Sequence, residues 1–139
     1  MNAPSRRVDV FFYGLFMDPD LLRAQGLVPE SVALATVPGL ALRIGRRAAL
    51  MSEPAGRVHG VVMSLTLAEL NRLYSEPSVQ AYRPEAVLAH LDTGEVVAAL
   101  CYNLPDPPSS GERNPDYIAK LRKVAEKMGL PAAYVSSMG

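Results

Sequence analysis

The order of the predicted elements is the feature that most restricts the fold of this 139-residue chain. Strands are predicted at 8–14, 31–37, 57–65, 82–91 and 95–103. The stretch 40–51 is interpreted as two short strands or as one strand bent around Gly45. Helices are predicted after Asp18, Thr66 and Asn114, so strands and helices do not alternate regularly. This order favours a mixed or mostly antiparallel α+β domain over a Rossmann-type sheet.

Two of these helices have clear boundary signals. Thr66 and Glu69 match a T-x-x-E capping box, in which each side chain satisfies a backbone N–H of the first turn. Pro77 is expected to end that helix, because the residue before a proline is pushed out of helical geometry. Asn114 is expected to cap the last helix, and Gly129 to close it.

Turn residues define the predicted strand ends. Pro38-Gly39 is expected to end the strand at 31–37. Asp92-Thr93-Gly94 is expected to join 82–91 and 95–103 into a hairpin. The segment 104–113 is rich in Pro, Ser and Gly and is predicted to be a surface loop.

Composition excludes several classes of protein. Fourteen basic residues offset fourteen acidic ones, which argues against a nucleic-acid binder that works through a broad cationic surface. The single cysteine, Cys101, excludes an internal disulfide and a cysteine-rich zinc site. No stretch of apolar residues is long enough to cross a membrane, and no convincing targeting segment is present. We therefore expect a cytoplasmic protein with one domain over residues 1–139, of which 1–7 form an N-terminal tail.

The first candidate site is the strand-to-helix turn formed by Tyr13, Gly14, Leu15, Phe16 and Met17. Backbone N–H groups at such a turn can hold a carboxylate or phosphate, and a glycine allows close approach of a ligand. The alternative interpretation is a tight turn whose side chains pack in the core.

The second candidate is Glu76, predicted to lie at the C-terminal end of the capped helix beside Pro77. The negative end of the helix dipole disfavours an ionised carboxylate there, which suits general acid–base chemistry near neutral pH. The alternative is a solvated glutamate at a helix end, and Glu53 has a similar sequence setting. A third candidate is Tyr82-Arg83, where a phenol and a guanidinium could orient a carboxylate.

The motifs, taken in order, resemble those of the gamma-glutamylcyclotransferase-like family, including its gamma-glutamylamine cyclotransferase-like members. The similar segments are 12–17 (FYGLFM), 58–62 (VHGVV), 73–77 (LYSEP) followed by Tyr82-Arg83, and 129–134 (GLPAAY). The resemblance runs from about residue 8 to residue 135, and each motif is short, so their order carries it.

This resemblance implies a small mixed β-barrel wrapped by helices, with the first turn and a catalytic glutamate at one cavity. It also implies a transferase or lyase reaction, in which a γ-glutamyl amide or amine is converted to 5-oxoproline and a free amine. The glutamate, here Glu76, would be the general acid and base. The N–H groups of the 13–17 turn would bind the substrate together with Tyr82, and no metal or cofactor is needed.

Two positions depart from the family pattern. Leu15 stands where a Ser or Thr is usual, so a hydroxyl that could bind substrate is missing. In an ungapped comparison the family's glutamate falls on Pro77, and only a one-residue deletion places it on Glu76. The alternative function is therefore a non-catalytic domain of the same fold, which binds a small anionic metabolite or serves as an assembly module.

Overall fold

The structure is a computed structural model that describes residues 6–106, 108 and 111–138. These residues form five strands: β1 (Arg7–Phe12), β2 (Glu30–Ile44), β3 (Ala48–Thr66), β4 (Arg83–Leu91) and β5 (Val96–Asn103). The same described residues form the α-helices α1 (Pro19–Ala24), α2 (Leu67–Leu73), α3 (Pro115–Met128) and α4 (Ala132–Ser136), and a 3₁₀ turn covers Leu15–Met17. The short α4 has no counterpart among the predicted elements.

The strands form a closed barrel in the order β1-β3-β2-β4-β5. β1 and β5 are parallel and pair at Val10 and Leu100, whereas the other neighbouring strands are antiparallel. The predicted small mixed barrel with helices around it is therefore confirmed.

The long β2–β3 hairpin shows that one predicted strand end was wrong. β2 continues through Pro38-Gly39, with Pro38 opposite Arg57 and Leu40 opposite Ser52. The register shifts between Pro38 and Leu40, and Gly39 has a φ of +84°. A bulge at this point absorbs the Pro-Gly pair, because the strand partner on β3 continues on both sides of it. The hairpin turns at Gly45, so 40–51 belongs to two strands as predicted, but these are the long β2 and β3 rather than two short strands.

The caps of α2 and α3 are confirmed. Thr66 Oγ1 accepts from the Glu69 N–H at 3.1 Å, and Glu69 Oε1 accepts from the Thr66 N–H at 2.8 Å. Asn114 Oδ1 accepts from the Tyr117 N–H at 3.2 Å, and Gly129 ends α3 with a φ of +83°.

The predicted C-terminal end of α2 was wrong. α2 ends at Leu73, before Pro77 can act on it. The Ser75 N–H donates to the Arg72 carbonyl, which tightens the chain into a turn beyond the helix. The segment from Tyr74 to Pro77 is therefore non-helical.

Apolar side chains fill the barrel and the space between it and the helices. Leu121 and Ala125 of α3 pack with Val10 and Met63 of the barrel, and all four are fully buried. Among the described residues, no helix combines the length and apolar character needed to span a membrane. The described residues of 104–113 contain neither helix nor strand, and positions 107, 109 and 110 lie outside the description.

Candidate functional site

A cavity of about 310 Å³ lies beside the turn that follows β1. It is bounded by that turn, the β2–β3 turn, the segment after α2 and the start of α3. All three phenylalanines of the chain and five of its six tyrosines line it. These residues are Phe11, Phe12, Tyr13, Phe16, Tyr74, Tyr82, Tyr102 and Tyr117.

The rings form a connected aromatic wall. Tyr74 and Tyr102 stack with ring centroids 3.9 Å apart and planes 9° apart. Phe16 meets Tyr74 edge-on at 5.9 Å, and Phe12 meets Phe16 edge-on at 6.4 Å. The two edge-on contacts suit the charge distribution of aromatic rings.

Two tyrosine hydroxyls of the wall donate hydrogen bonds to backbone carbonyls. Tyr13 donates to the Tyr102 carbonyl at 2.9 Å, and Tyr82 donates to the Ala48 carbonyl. Burial raises the pKa of both hydroxyls well above the usual range. Tyr13 and Tyr82 therefore remain neutral, and their hydroxyl protons point to the barrel backbone.

Tyr117 reaches the first turn from α3. Its hydroxyl oxygen lies 3.0 Å from the point that a Cβ on Gly14 would occupy. Burial raises the pKa of Tyr117 to about 12, and the nearby Leu15 N–H opposes that rise. The absence of a side chain on Gly14 thus leaves space for the Tyr117 hydroxyl at the turn. Leu15 has no side-chain hydroxyl of its own, but the Tyr117 hydroxyl lies beside its N–H.

The cavity is positively charged at one side. Arg46 and Arg47 line it, and none of the described residues that line it is acidic. Burial and then the neighbouring Tyr117 raise the Tyr82 pKa, and the positive charge of Arg47 opposes that rise.

Asn114 ties this arginine-bearing turn to α3. Its side-chain amide donates to the Gly45 carbonyl at 3.1 Å and to the Arg46 carbonyl at 3.3 Å. Because the same side chain caps α3 through the Tyr117 N–H, it holds the arginine turn and Tyr117 against each other.

Most of the predicted binding residues line this one cavity. Tyr13, Gly14, Leu15, Phe16 and Tyr82 are brought together there. The fifth residue of the predicted turn, Met17, is fully buried in the core instead, and its N–H donates to the Gly14 carbonyl at 3.0 Å.

Glu76 lies outside this group. It is exposed, in the turn beyond the end of α2, and its carbonyl accepts from the Val79 N–H at 3.0 Å. Its neighbours Ser78 and Val79 line the cavity, whereas Glu76 does not. Since α2 ends at Leu73, the expected position at a helix C-terminus does not apply to this carboxylate.

The remaining candidates have structural partners elsewhere. Glu53 is exposed and accepts from the Ala55 N–H. Arg83 is exposed and donates to the backbone carbonyls of Gln80 and Tyr82. Cys101 is buried, and burial raises the pKa of its thiol to about 12, as expected of an inert thiol.

Sequence reasoning did not assign the other lining residues to the site, and these include Arg46, Arg47, Tyr74, Tyr102 and Tyr117. Tyr74 and Tyr102 lie within apolar patterns, which predict core packing. A signal was available in the composition, because a chain without Trp and with only three phenylalanines uses tyrosine for most of its aromatic residues.

A small closed barrel with a ring-lined cavity beside its first turn defines the structural class of this protein. Within that class, residues 10–120 match the family described as "Gamma-glutamyl cyclotransferase, AIG2-like", and the chain belongs to this family. It is 32% identical over 123 residues to AIG2-like protein A of Arabidopsis thaliana. This match covers 83% of this chain and 74% of that protein.

Solved structures share the fold at low sequence identity. A gamma-glutamyl cyclotransferase matches with a TM-score of 0.80 and 19% identity, over 96% of this chain and 86% of its own. An AIG2-like protein from Mus musculus matches with a TM-score of 0.57 and 12% identity, over 80% and 90% respectively.

Proposed function

We propose that the cavity binds a small organic anion, with the charged group toward Arg46 and Arg47 and the apolar part against the aromatic wall. The observation that carries this proposal is that eight aromatic residues and two arginines line one cavity. Its volume of about 310 Å³ falls within the range of small-molecule sites.

In this proposal the two arginines bind the charged group of the anion. A guanidinium can hold a carboxylate through two parallel hydrogen bonds, and such charge-assisted bonds are stronger than neutral ones. None of the described residues of the lining is acidic, and at the outer side of this turn the Glu112 carboxylate accepts from the Arg46 backbone N–H at 3.0 Å. Arg46 is exposed and Arg47 is half-buried, so the attraction between a ligand and Arg47 is screened less than at an open surface.

In this proposal the ligand is held without chemical conversion. Closing a γ-glutamyl ring requires a group that takes a proton from the substrate ammonium and gives it to the leaving nitrogen. Glu76 is exposed and outside the lining. The buried tyrosine hydroxyls are neutral and are weak bases.

The second candidate is the cyclotransferase reaction, favoured by the family match over residues 10–120. The substrate's α-amine would attack its own γ-carbonyl, forming a C–N bond as the bond to the leaving amine breaks. The ammonium proton would pass to a carboxylate and then to that amine, leaving 5-oxoproline. For Glu76 to serve as this carboxylate, the segment between α2 and β4 would have to turn it into the cavity.

Two measurements on the same proteins separate these candidates. The first is 5-oxoproline release from γ-glutamyl amino acids and amines by the wild type and Glu76→Gln. The second is calorimetric binding of the same compounds and of simple carboxylates by the wild type and Arg47→Gln. Arg23→Gln is the matched control, because it removes one positive charge from α1, away from the cavity.

The binding proposal predicts no 5-oxoproline from either protein, and binding that weakens in Arg47→Gln but not in Arg23→Gln. Release that is abolished in Glu76→Gln would instead establish the cyclotransferase and assign its carboxylate. Equal binding by the two arginine variants would show that Arg47 does not hold the anion.

A further inference from the structure

The aromatic residues of this chain are concentrated at one place. The cavity takes eight of them, and the remaining aromatic residue, Tyr134, packs against His59 with ring centroids 4.6 Å apart. The core beyond the cavity is built from aliphatic side chains, methionine and Cys101. The aromatic rings are thus gathered at the cavity, where Phe11, Phe12 and Tyr13 also belong to the buried core.

We infer that the ligand of this cavity carries an aromatic ring, so that the site selects an aryl carboxylate over an aliphatic one. This inference rests on the proposed function, because it specifies the apolar part of the anion proposed there. It follows from the ring geometry and from the charge at the cavity.

The ring geometry suits one more ring. Tyr74 and Tyr102 already stack face to face, and Tyr82 lies 6.2 Å from Tyr74 at an angle of 50°. Tyr82 and Tyr102 are both half-buried and line the cavity. A further ring placed beside them can stack with an offset or meet a ring edge-on, which are the arrangements that aromatic pairs prefer.

The positive charge at the cavity argues against a cationic ligand, the other kind of ligand that aromatic rings attract. Rings also bind ammonium groups through their electron-rich faces. Here Arg46 and Arg47 line the same cavity, and the Arg47 charge acts on Tyr82. A cation would be repelled where an anion is attracted, so ring and negative charge belong to the same ligand.

Wild-type protein and a panel of small acids test this inference by calorimetry. Phenylacetate, cyclohexylacetate and acetate share the carboxylate and differ in the attached group, whereas phenethylamine keeps the ring and carries a positive charge. We expect phenylacetate to bind roughly two- to tenfold more tightly than cyclohexylacetate, the range that aromatic pairing contributes. We expect acetate and phenethylamine to bind more weakly than both.

A ring-deleting variant provides a second test. Tyr102→Leu keeps apolar volume and removes one ring, and it leaves the Tyr102 carbonyl that accepts from Tyr13. The preference for phenylacetate over cyclohexylacetate should fall in this variant, with little change in cyclohexylacetate binding. Tyr82→Leu is the second variant in case Tyr102→Leu does not fold, and Tyr134→Leu, outside the cavity, is the matched control.

The outcomes separate this inference from the proposed function. If cyclohexylacetate binds as tightly as phenylacetate, or if Tyr102→Leu weakens both equally, the aromatic selection is refuted while anion binding stands. Phenethylamine that binds more tightly than phenylacetate would refute the assignment of charge. If none of the acids binds at millimolar concentration, the proposed function and this inference both fail.

Discussion

Asn103 is a buried amide that joins two strands across the barrel, and its removal should be costly. It is 9% exposed, donates to the Leu50 carbonyl at 3.0 Å and accepts from the Leu50 N–H at 2.8 Å. It also accepts from the Leu104 N–H and donates to Glu85. β1 pairs with β3 from Val61 to Thr66, so at Leu50 the Asn103 side chain takes the place of a neighbouring strand.

The cost of Asn103→Ala follows from the groups that lose their partners. The N–H and carbonyl of Leu50, a residue that is 3% exposed, would both be left without a hydrogen bond inside the barrel. A buried backbone group without a partner costs about 1–3 kcal/mol, so we expect about 4 kcal/mol from the two together with the lost packing. For a chain of this size that lowers the melting temperature by roughly 10–15 °C.

The assay is urea unfolding followed by far-UV circular dichroism. Asn71→Ala is the matched control, because Asn71 lies exposed on α2 and the same change there should stay within about 0.5 kcal/mol. A loss below about 1 kcal/mol for Asn103→Ala would refute the reasoning, since it would mean that Leu50 finds other partners or water.

Asn103→Asp tests the same contacts by pH. The aspartate keeps the acceptor oxygen but replaces the donating amide, so an ionised side chain would face the Leu50 carbonyl and the Glu85 carboxylate. Both contacts and burial raise the pKa of the new carboxyl in the folded state. The native state then binds more protons than the unfolded state, so stability should fall as pH rises. A variant equally stable in acid and at neutral pH would contradict this.

Three further predictions concern packing, a titrating cap and the buried thiol. Gly60→Ala should destabilise the protein by about 3 kcal/mol in urea unfolding, because the added Cβ would overlap the Phe12 carbonyl oxygen; a neutral effect would show that β1 can move. Burial would raise the pKa of Glu69, but hydrogen bonds from the backbone N–H groups of Thr66 and Val28 outweigh it and lower the pKa from 4.5. Its contribution to stability is therefore present above pH 4.5 and lost on acidification, so thermal melts of Glu69→Gln should depend less on pH than those of the wild type. Cys101 should react with a thiol reagent only as fast as the barrel opens, and rapid labelling of the native protein would contradict its burial.

The features predicted correctly from the sequence depend on residues close together in the chain. The Thr66–Glu69 capping box, the cap at Asn114 and the hairpin turn between β4 and β5 each need only a few neighbouring positions. The turn at 13–17 is of the same kind, because its glycine and its position after β1 can be predicted from the sequence around it. At these positions the local signals agree with the global fold, as is typical of natural sequences.

The wrong boundaries depend on contacts with distant residues. Pro38-Gly39 does not end β2 because β3 offers partners on both sides of the bulge. α2 stops at Leu73 and the chain turns toward the cavity, where Tyr74 stacks on Tyr102 of β5. In both cases a contact from another element overrode the local preference, and helix or strand propensity is a weak guide to such boundaries.

The composition of the cavity follows from how the barrel closes. β1 and β5 are parallel neighbours at Val10 and Leu100, so their carboxyl ends meet at one edge of the barrel. Tyr13 just after β1 and Tyr102 near the end of β5 are thereby placed together, and the Tyr13 hydroxyl donates to the Tyr102 carbonyl. Residues 89 positions apart carry no shared pattern in the sequence. From the sequence alone, a tyrosine in an apolar strand therefore indicates core packing. Its place in the cavity wall can be inferred only when it is known which two strands close the barrel.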